Sequence, residues 1–239
     1  MGTVPIKAFL RGQSPLTTVH GDCPQRLSQP VVTVIFIASP NPIHCPKGAA
    51  VMARQPRNKP HAEFHHITNR GACRRDIYRD TIDHEIFFDL IERAHVKFEF
   101  ALHAFCLMGN HYHLLAQFPN RNMPQVMHWI GLCYSIAFNR KYGTDGRLCR
   151  DRYFSKPIED EAYLLTVTRY IHQNPKASGL DDFSEYDASS YQMYLGLKIR
   201  PDWMRTDLIE GFFADTPALR RYMDAIPNQS LELPARFVG

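Results

Sequence analysis

The sequence predicts an α+β domain in which an antiparallel sheet is packed with helices. Three observations predict it. Segments of strand character and segments of helical periodicity alternate between residues 61 and 175. Two of the strand segments, Phe98–Met108 and His111–Phe118, are separated only by Gly109-Asn110, a two-residue turn signal that makes them an antiparallel hairpin. The longest apolar run, Val31–Ala38, falls far short of the roughly 20 residues a membrane helix needs.

The first element is Glu63–Asn69 (EFHHITN), a short strand stopped by Gly71. Thr81–His95 is a helix. Asp80 or Thr81 can cap it, and Ile82, Ile86, Phe87, Leu90, Ile91 and Ala94 recur at helical spacing. Phe98–Met108 (FEFALHAFCLM) is a strongly apolar strand. His111–Phe118 alternates, with Tyr112, Leu114, Ala116 and Phe118 on one face and His111, His113, Leu115 and Gln117 on the other. A second long helix follows. Asn122 can cap it, Pro124 sits in its first turn, and Val126, Trp129, Ile130, Cys133, Ile136 and Ala137 form its apolar stripe. Arg140 and Lys141 suit its C-terminal dipole, and Gly143 stops it. Leu148–Ile158 is a basic strand. Glu159, Asp160 and Glu161 then open a third helix, which Pro175 ends. The order is the split β-α-β pattern of a ferredoxin-like α+β fold, with an extra helix at the C-terminal end. That domain is expected over residues 52–198. A small helical extension, with a piece around Asp207–Phe213, and a polar tail are expected over 199–239.

Residues 1–51 differ from the rest. They hold seven of the 17 prolines and, Val31–Ala38 apart, no periodicity, so they are expected to be a disordered extension. Met52 opens a segment that reads as a natural protein start. The six cysteines include no CxxC pair, which argues against a zinc knuckle or a thioredoxin-like site. Cys106 and Cys133 sit in apolar stretches as core residues, and reduced thiols in a cytoplasmic protein are expected. A net charge of +4 permits nucleic-acid binding without demanding it.

Three groups of residues could carry chemistry. His111 and His113 lie two apart on a strand and therefore face one way, and a neutral imidazole pair binds divalent ions. The same spacing also fits two histidines on a partly exposed strand face. On the third helix Tyr170 and Asn174 lie four apart and share a face. Tyr170 offers a phenol that is a nucleophile once oriented, and Asn174 a carbonyl oxygen for a hard metal; equally, both suit a helix surface. Between these groups Arg147, Arg150, Arg152, Tyr153, Phe154 and Lys156 mix cations with rings, a composition that suits single-stranded nucleic acid. Asp151 interrupts that run, as it would on a solvated edge strand.

Taken together, the stretches HAEFHHITNRGACRRDIYRD, LMGNHYHLL, FNRKYGTDGRLCRDRYFSKPIEDEAYL, RYIHQNPKASGL and YDASSYQMYLG resemble the single-tyrosine HUH transposases, and within them the REP-associated tyrosine transposases. The resemblance spans about residues 60–197, with an echo in the PDW around Trp203. It implies an HUH fold whose last helix is catalytic. The metal-binding histidine pair then falls on His111 and His113, the nucleophile on Tyr170 and the third metal ligand on Asn174. It further implies Mg²⁺ or Mn²⁺ as cofactor and a 5′-phosphotyrosine intermediate. The implied partner is single-stranded DNA or a REP-type hairpin, acted on by a monomer or homodimer away from any membrane. The chain departs from the family at Gly109, where proline is common, at Cys149-Arg150, where phenylalanine-glutamine is common, and at Ala188, where tryptophan is frequent. Two rivals remain: a replication initiator or relaxase, and a DNA-binding protein descended from a transposase that no longer cleaves. The single candidate tyrosine and the absence of a helicase motif argue against the first, and the intact His111, His113, Tyr170 and Asn174 against the second.

Overall fold

A computed structural model of the chain describes residues 63–180 and 182–225. The expected extension over residues 1–51 lies outside the described residues. Four strands, β1 (Phe64–Arg70), β2 (Ala101–Met108), β3 (His111–Gln117) and β4 (Phe154–Ile158), form one antiparallel sheet in the order β2-β3-β1-β4. That is the order of a ferredoxin-like α+β fold. Helices α1 (Thr81–Phe98) and α2 (Met123–Tyr142) cover one face. There Phe87 meets Tyr112 of β3 and Tyr134 of α2, at ring separations of 5.4 and 5.2 Å. Helix α3 (Glu161–Gln173) lies on the other face, over β2 and β3. Short helices α4 (Tyr191–Tyr194), α5 (Asp207–Glu210) and α6 (Thr216–Asp224) follow.

The caps follow the sequence. Asp80 accepts from the Asp83 N–H at the start of α1, and Asp160 from the Tyr163 N–H at the start of α3. Asn122 behaves differently: its amide donates to the Phe98 carbonyl and ties the start of α2 to the end of α1. The apolar stripes are rotated from those expected. Ile82 is exposed, and its neighbour Asp83 is buried because its carboxylate takes Arg79 N–H, Lys141 and Tyr142. On α2, Ile136 is exposed, while Met127, Tyr134 and Phe138 turn inward.

Two strand boundaries are also corrected. The segment Phe98–Met108 becomes a strand only at Ala101, because α1 runs through Phe98 and Glu99 turns the chain in a left-handed conformation (φ 55°, ψ 54°). The segment Leu148–Ile158 is a strand only from Phe154. Its earlier residues run past the end of β1, where they meet it at one bridge between Gly71 and Cys149, flanked by the bonds from Arg150 N–H to the Arg70 carbonyl and from Ala72 N–H to the Leu148 carbonyl. Beta1 offers no longer edge because the chain folds back at Gly71, where a Cβ would lie 2.0 Å from the Arg75 carbonyl oxygen.

Residues 199–225 pack on this core. Trp203 lies between Phe88 and Phe105, and its carbonyl accepts from Leu102 of β2. Cys106 and Cys149 are free thiols, and Cys106 and Cys133 are buried. Among the described residues no helix is long and apolar enough to cross a membrane.

Candidate active site

Strand alternation places His111 and His113 on the face of β3 that looks toward α3, and α3 brings Tyr170 onto them. The His113 ring is 5.2 Å from that of His111 and 5.4 Å from that of Tyr170, which it meets edge to face. The backbone stays right-handed helical through Asn174, although α3 gives way there to a 3-10 turn, so the i, i+4 relation survives. The Asn174 side-chain amide donates to the Tyr170 main-chain carbonyl at 3.0 Å and lies near enough to act on the protonation of both His111 and Tyr170. The four groups marked in the sequence therefore meet at one point.

The chemistry of the donors fits a divalent cation. The His111 Nδ1 atom lies 2.7 Å from Asn110 Oδ1. An amide oxygen only accepts, so that nitrogen carries the proton and Nε2 keeps its lone pair. The Nε2 atom of wholly buried His113 has no hydrogen-bond partner among the described residues. Burial, reinforced by the Arg70 charge and opposed by the Asn174 hydrogen bond, lowers the His111 pKa to about 4. Burial first, then His66, His111 and Arg70, hold His113 well below its ordinary value. Both imidazoles are thus neutral, the form that ligates. Among the described residues no three His, Cys, Asp or Glu side chains could hold an ion, so the third protein donor would be the Asn174 amide. The Tyr170 phenol is half-buried. Burial raises its pKa, with Asn174 and Arg70 pulling it back, so it meets a substrate protonated.

Helix α3 is fastened on both sides of this point. His172 Nε2 lies 2.8 Å from Ser190 Oγ, which also accepts from the Phe105 N–H of β2 at 2.9 Å. The Gln173 amide donates to the carbonyls of Met223 and Ala225 at 2.6 and 3.0 Å, and Tyr191 donates to Asp224 at 2.8 Å. The SSY segment and α6 thereby hold the helix that carries Tyr170.

The basic segment divides. Arg147, Arg150 and Arg152 are exposed on the loop before β4. Arg75 joins them, donating to the carbonyls of Arg147 and Leu148. Lys156 is half-buried, with Nζ 4.5 Å over the Tyr163 ring. Tyr153 departs from its expected place among the DNA-facing residues: it is only 9% exposed, and its ring packs inward rather than standing free for a base.

Two residues of the site were not singled out from the sequence. His66 of β1 lies 3.1 Å from His113, Nε2 to Nδ1, and its ring is 6.0 Å from that of Tyr170. Arg70, paired with His111 in the sheet, is 7% exposed and its charge acts on His111, His113 and Tyr170. The available signal was alternation in HHITNR, which puts His66, Thr68 and Arg70 on one face.

Residues 62–174 match the family described as Transposase IS200 like. A REP-associated tyrosine transposase, solved bound to a REP hairpin, shares the fold with a TM-score of 0.52 and 15% identity; the match covers 65% of this chain and 93% of that one. A protein from Deinococcus radiodurans R1, whose own assignment as a transposase is provisional, matches at 14% identity over 49% of this chain and 95% of that one. Its TM-score is 0.35. No curated protein matches the chain.

Proposed function

Residues 62–174 form a transposase domain of the IS200-like family, and from that premise we propose that the protein cleaves and rejoins single-stranded DNA, with Tyr170 as nucleophile. The observation that carries this reading is the convergence of His111, His113, Asn174 and Tyr170 in one partly open site.

The Tyr170 hydroxyl attacks the scissile phosphorus in line. A Tyr–O–P bond forms, the bond from phosphorus to the 3′ oxygen breaks, and the phenolic proton ends on the released 3′-hydroxyl. The product is a 5′-phosphotyrosine. Attack by a 3′-hydroxyl on that ester reverses the step and joins strands, so no ATP is consumed. His111, His113 and Asn174 would hold Mg²⁺ or Mn²⁺, which when bound polarises the phosphate and offsets transition-state charge. Arg70 adds a fixed cation beside the reacting oxygen, where water is scarce and its field is felt strongly. Arg147, Arg150, Arg152 and Lys156 would draw in the flanking backbone. The strand must be unpaired at the cut for its phosphate to reach Tyr170. A hairpin with unpaired flanks is the favoured substrate, supported by the REP hairpin held by the transposase of similar fold.

The test uses end-labelled hairpin oligonucleotides with single-stranded flanks and Mn²⁺. Cleavage with a DNA-linked peptide containing Tyr170 is expected in mass spectrometry. An adduct on Tyr153 or Tyr163 refutes the assignment, and binding without any adduct supports a DNA-binding protein that has lost cleavage.

A further inference from the structure

His66 lies beside the site without touching the candidate metal position. It sits on β1, opposite Leu115 of β3 and one step along the same face from Thr68, which is opposite His113. The His66 and His113 rings are both wholly buried, with centroids 5.3 Å apart and planes inclined by 26°. Their polar contact is between His66 Nε2 and His113 Nδ1, at 3.1 Å. Each ring's other nitrogen, His66 Nδ1 and His113 Nε2, has no hydrogen-bond partner among the described residues.

A neutral imidazole carries one N–H and one lone pair. The contact holds one proton, so it has two forms. If His66 donates, His113 Nδ1 accepts, and His113 must carry its own proton on Nε2, where it blocks ligation. If His113 Nδ1 donates, His66 Nε2 accepts and the lone pair of His113 is at Nε2, open to a cation. His111 is set in the equivalent ligating form by Asn110.

Building on the metal-dependent reading above, we propose that His66 is the positioning residue for His113. It accepts the Nδ1 proton, which fixes the ligating tautomer and the ring's direction, as the outer partners of metal-binding histidines generally do. Buried as it is, it does so without competing for the ion itself.

Two measurements on the full chain test this. Mn²⁺ affinity is measured by electron paramagnetic resonance for the wild type, His66→Phe, His66→Gln and, as a reference, His113→Ala. His66→Phe keeps a ring but offers no acceptor, and Mn²⁺ binding is expected to weaken about 10–100-fold. His66→Gln can present an amide oxygen to the same proton and is expected to restore most of the affinity. Separately, ¹⁵N–¹H correlation spectra of the metal-free wild type are expected to place the His113 proton on Nδ1. Unchanged Mn²⁺ affinity in a folded His66→Phe variant overturns the proposal, as does a His113 proton on Nε2; the spectra decide the matter if that variant does not fold. A wild type that fails to bind Mn²⁺, or a His113→Ala variant that binds it equally well, instead overturns the metal-dependent reading on which the proposal rests.

Discussion

The two faces of the sheet are built on opposite principles. Under α1 and α2, rings and aliphatic chains close the interior: Phe87, Tyr112, Leu114, Ile130, Tyr134 and Phe138 are buried, and the Tyr134 hydroxyl finds the Ile77 carbonyl at 2.5 Å. Under α3 three imidazoles are set among aliphatic chains such as Leu115, Val167 and Ile171. His66, His113 and His172 are wholly buried, and each has a ring nitrogen without a hydrogen-bond partner among the described residues. Such a group costs about 1–3 kcal/mol when left unpaired. Apolar packing closes one face, while the other holds polar rings buried and aligned at a cost in unmade hydrogen bonds.

A crossed pair of variants separates the roles of the two faces. Tyr170→Phe removes one oxygen on the α3 face. Cleavage of a labelled oligonucleotide should fall by at least about 10³-fold, with the melting temperature nearly unchanged. Phe87→Ala, on the other face, should lose about 3–5 kcal/mol of stability in urea titrations while the molecules that remain folded cleave normally. A Phe87→Ala effect on cleavage as large as that of Tyr170→Phe would dissolve the distinction.

Acid should act mainly through the imidazole face. Burial lowers His66 and His172 to about 3 and His111 to about 4. Below the unfolded histidine value of about 6.5 the unfolded chain therefore binds more protons than the folded one, and stability falls with pH. The melting temperature should be flat above about pH 7 and drop steadily from about pH 6.5 toward pH 4, each such histidine adding about 1.4 kcal/mol per pH unit to the slope. A melting temperature constant down to pH 5 would show that these rings gain protons in the fold.

The smallest effect concerns the loop before β4. Changing Arg147, Arg150 and Arg152 to alanine should weaken single-strand binding for every sequence and flatten the logarithmic salt slope by about 2. An unchanged slope would move the DNA path to another surface.

The sequence revealed most where a residue's neighbours along the chain decide its place. The alternation of β3 put His111 and His113 on one side, and helical spacing, continued by the backbone one residue past the end of α3, put Tyr170 beside Asn174, because each relation is local in the chain. His66 stayed hidden because its role depends on the register between β1 and β3, 47 residues apart in the chain. Asp83 and Ile82 exchanged places because Lys141 and Tyr142, at the far end of α2, supply partners for a buried carboxylate that helical periodicity cannot anticipate. Tyr153 looked like an exposed ring because its segment read as a strand running from Leu148, whereas pairing begins only at Phe154. Helix α6 escaped notice through its low apolar content, although Asp215 followed by Thr216-Pro217 is a helix start by cap and by N1 residue.

The strand order has a consequence for the timing of folding. The hairpin of β2 and β3 forms between neighbours, but β1 must wait for β3 and then for β4, a partner roughly 90 residues downstream. Closing such loops is slow relative to local structure. His66 and Arg70 arrive with β1, His111 and His113 with β3, and Tyr170 and Asn174 only once α3 has docked. A chain emerging from synthesis, or one that has opened at either edge of its sheet, therefore holds Tyr170 apart from His111 and His113, and the site is assembled only when the last long-range contacts are made.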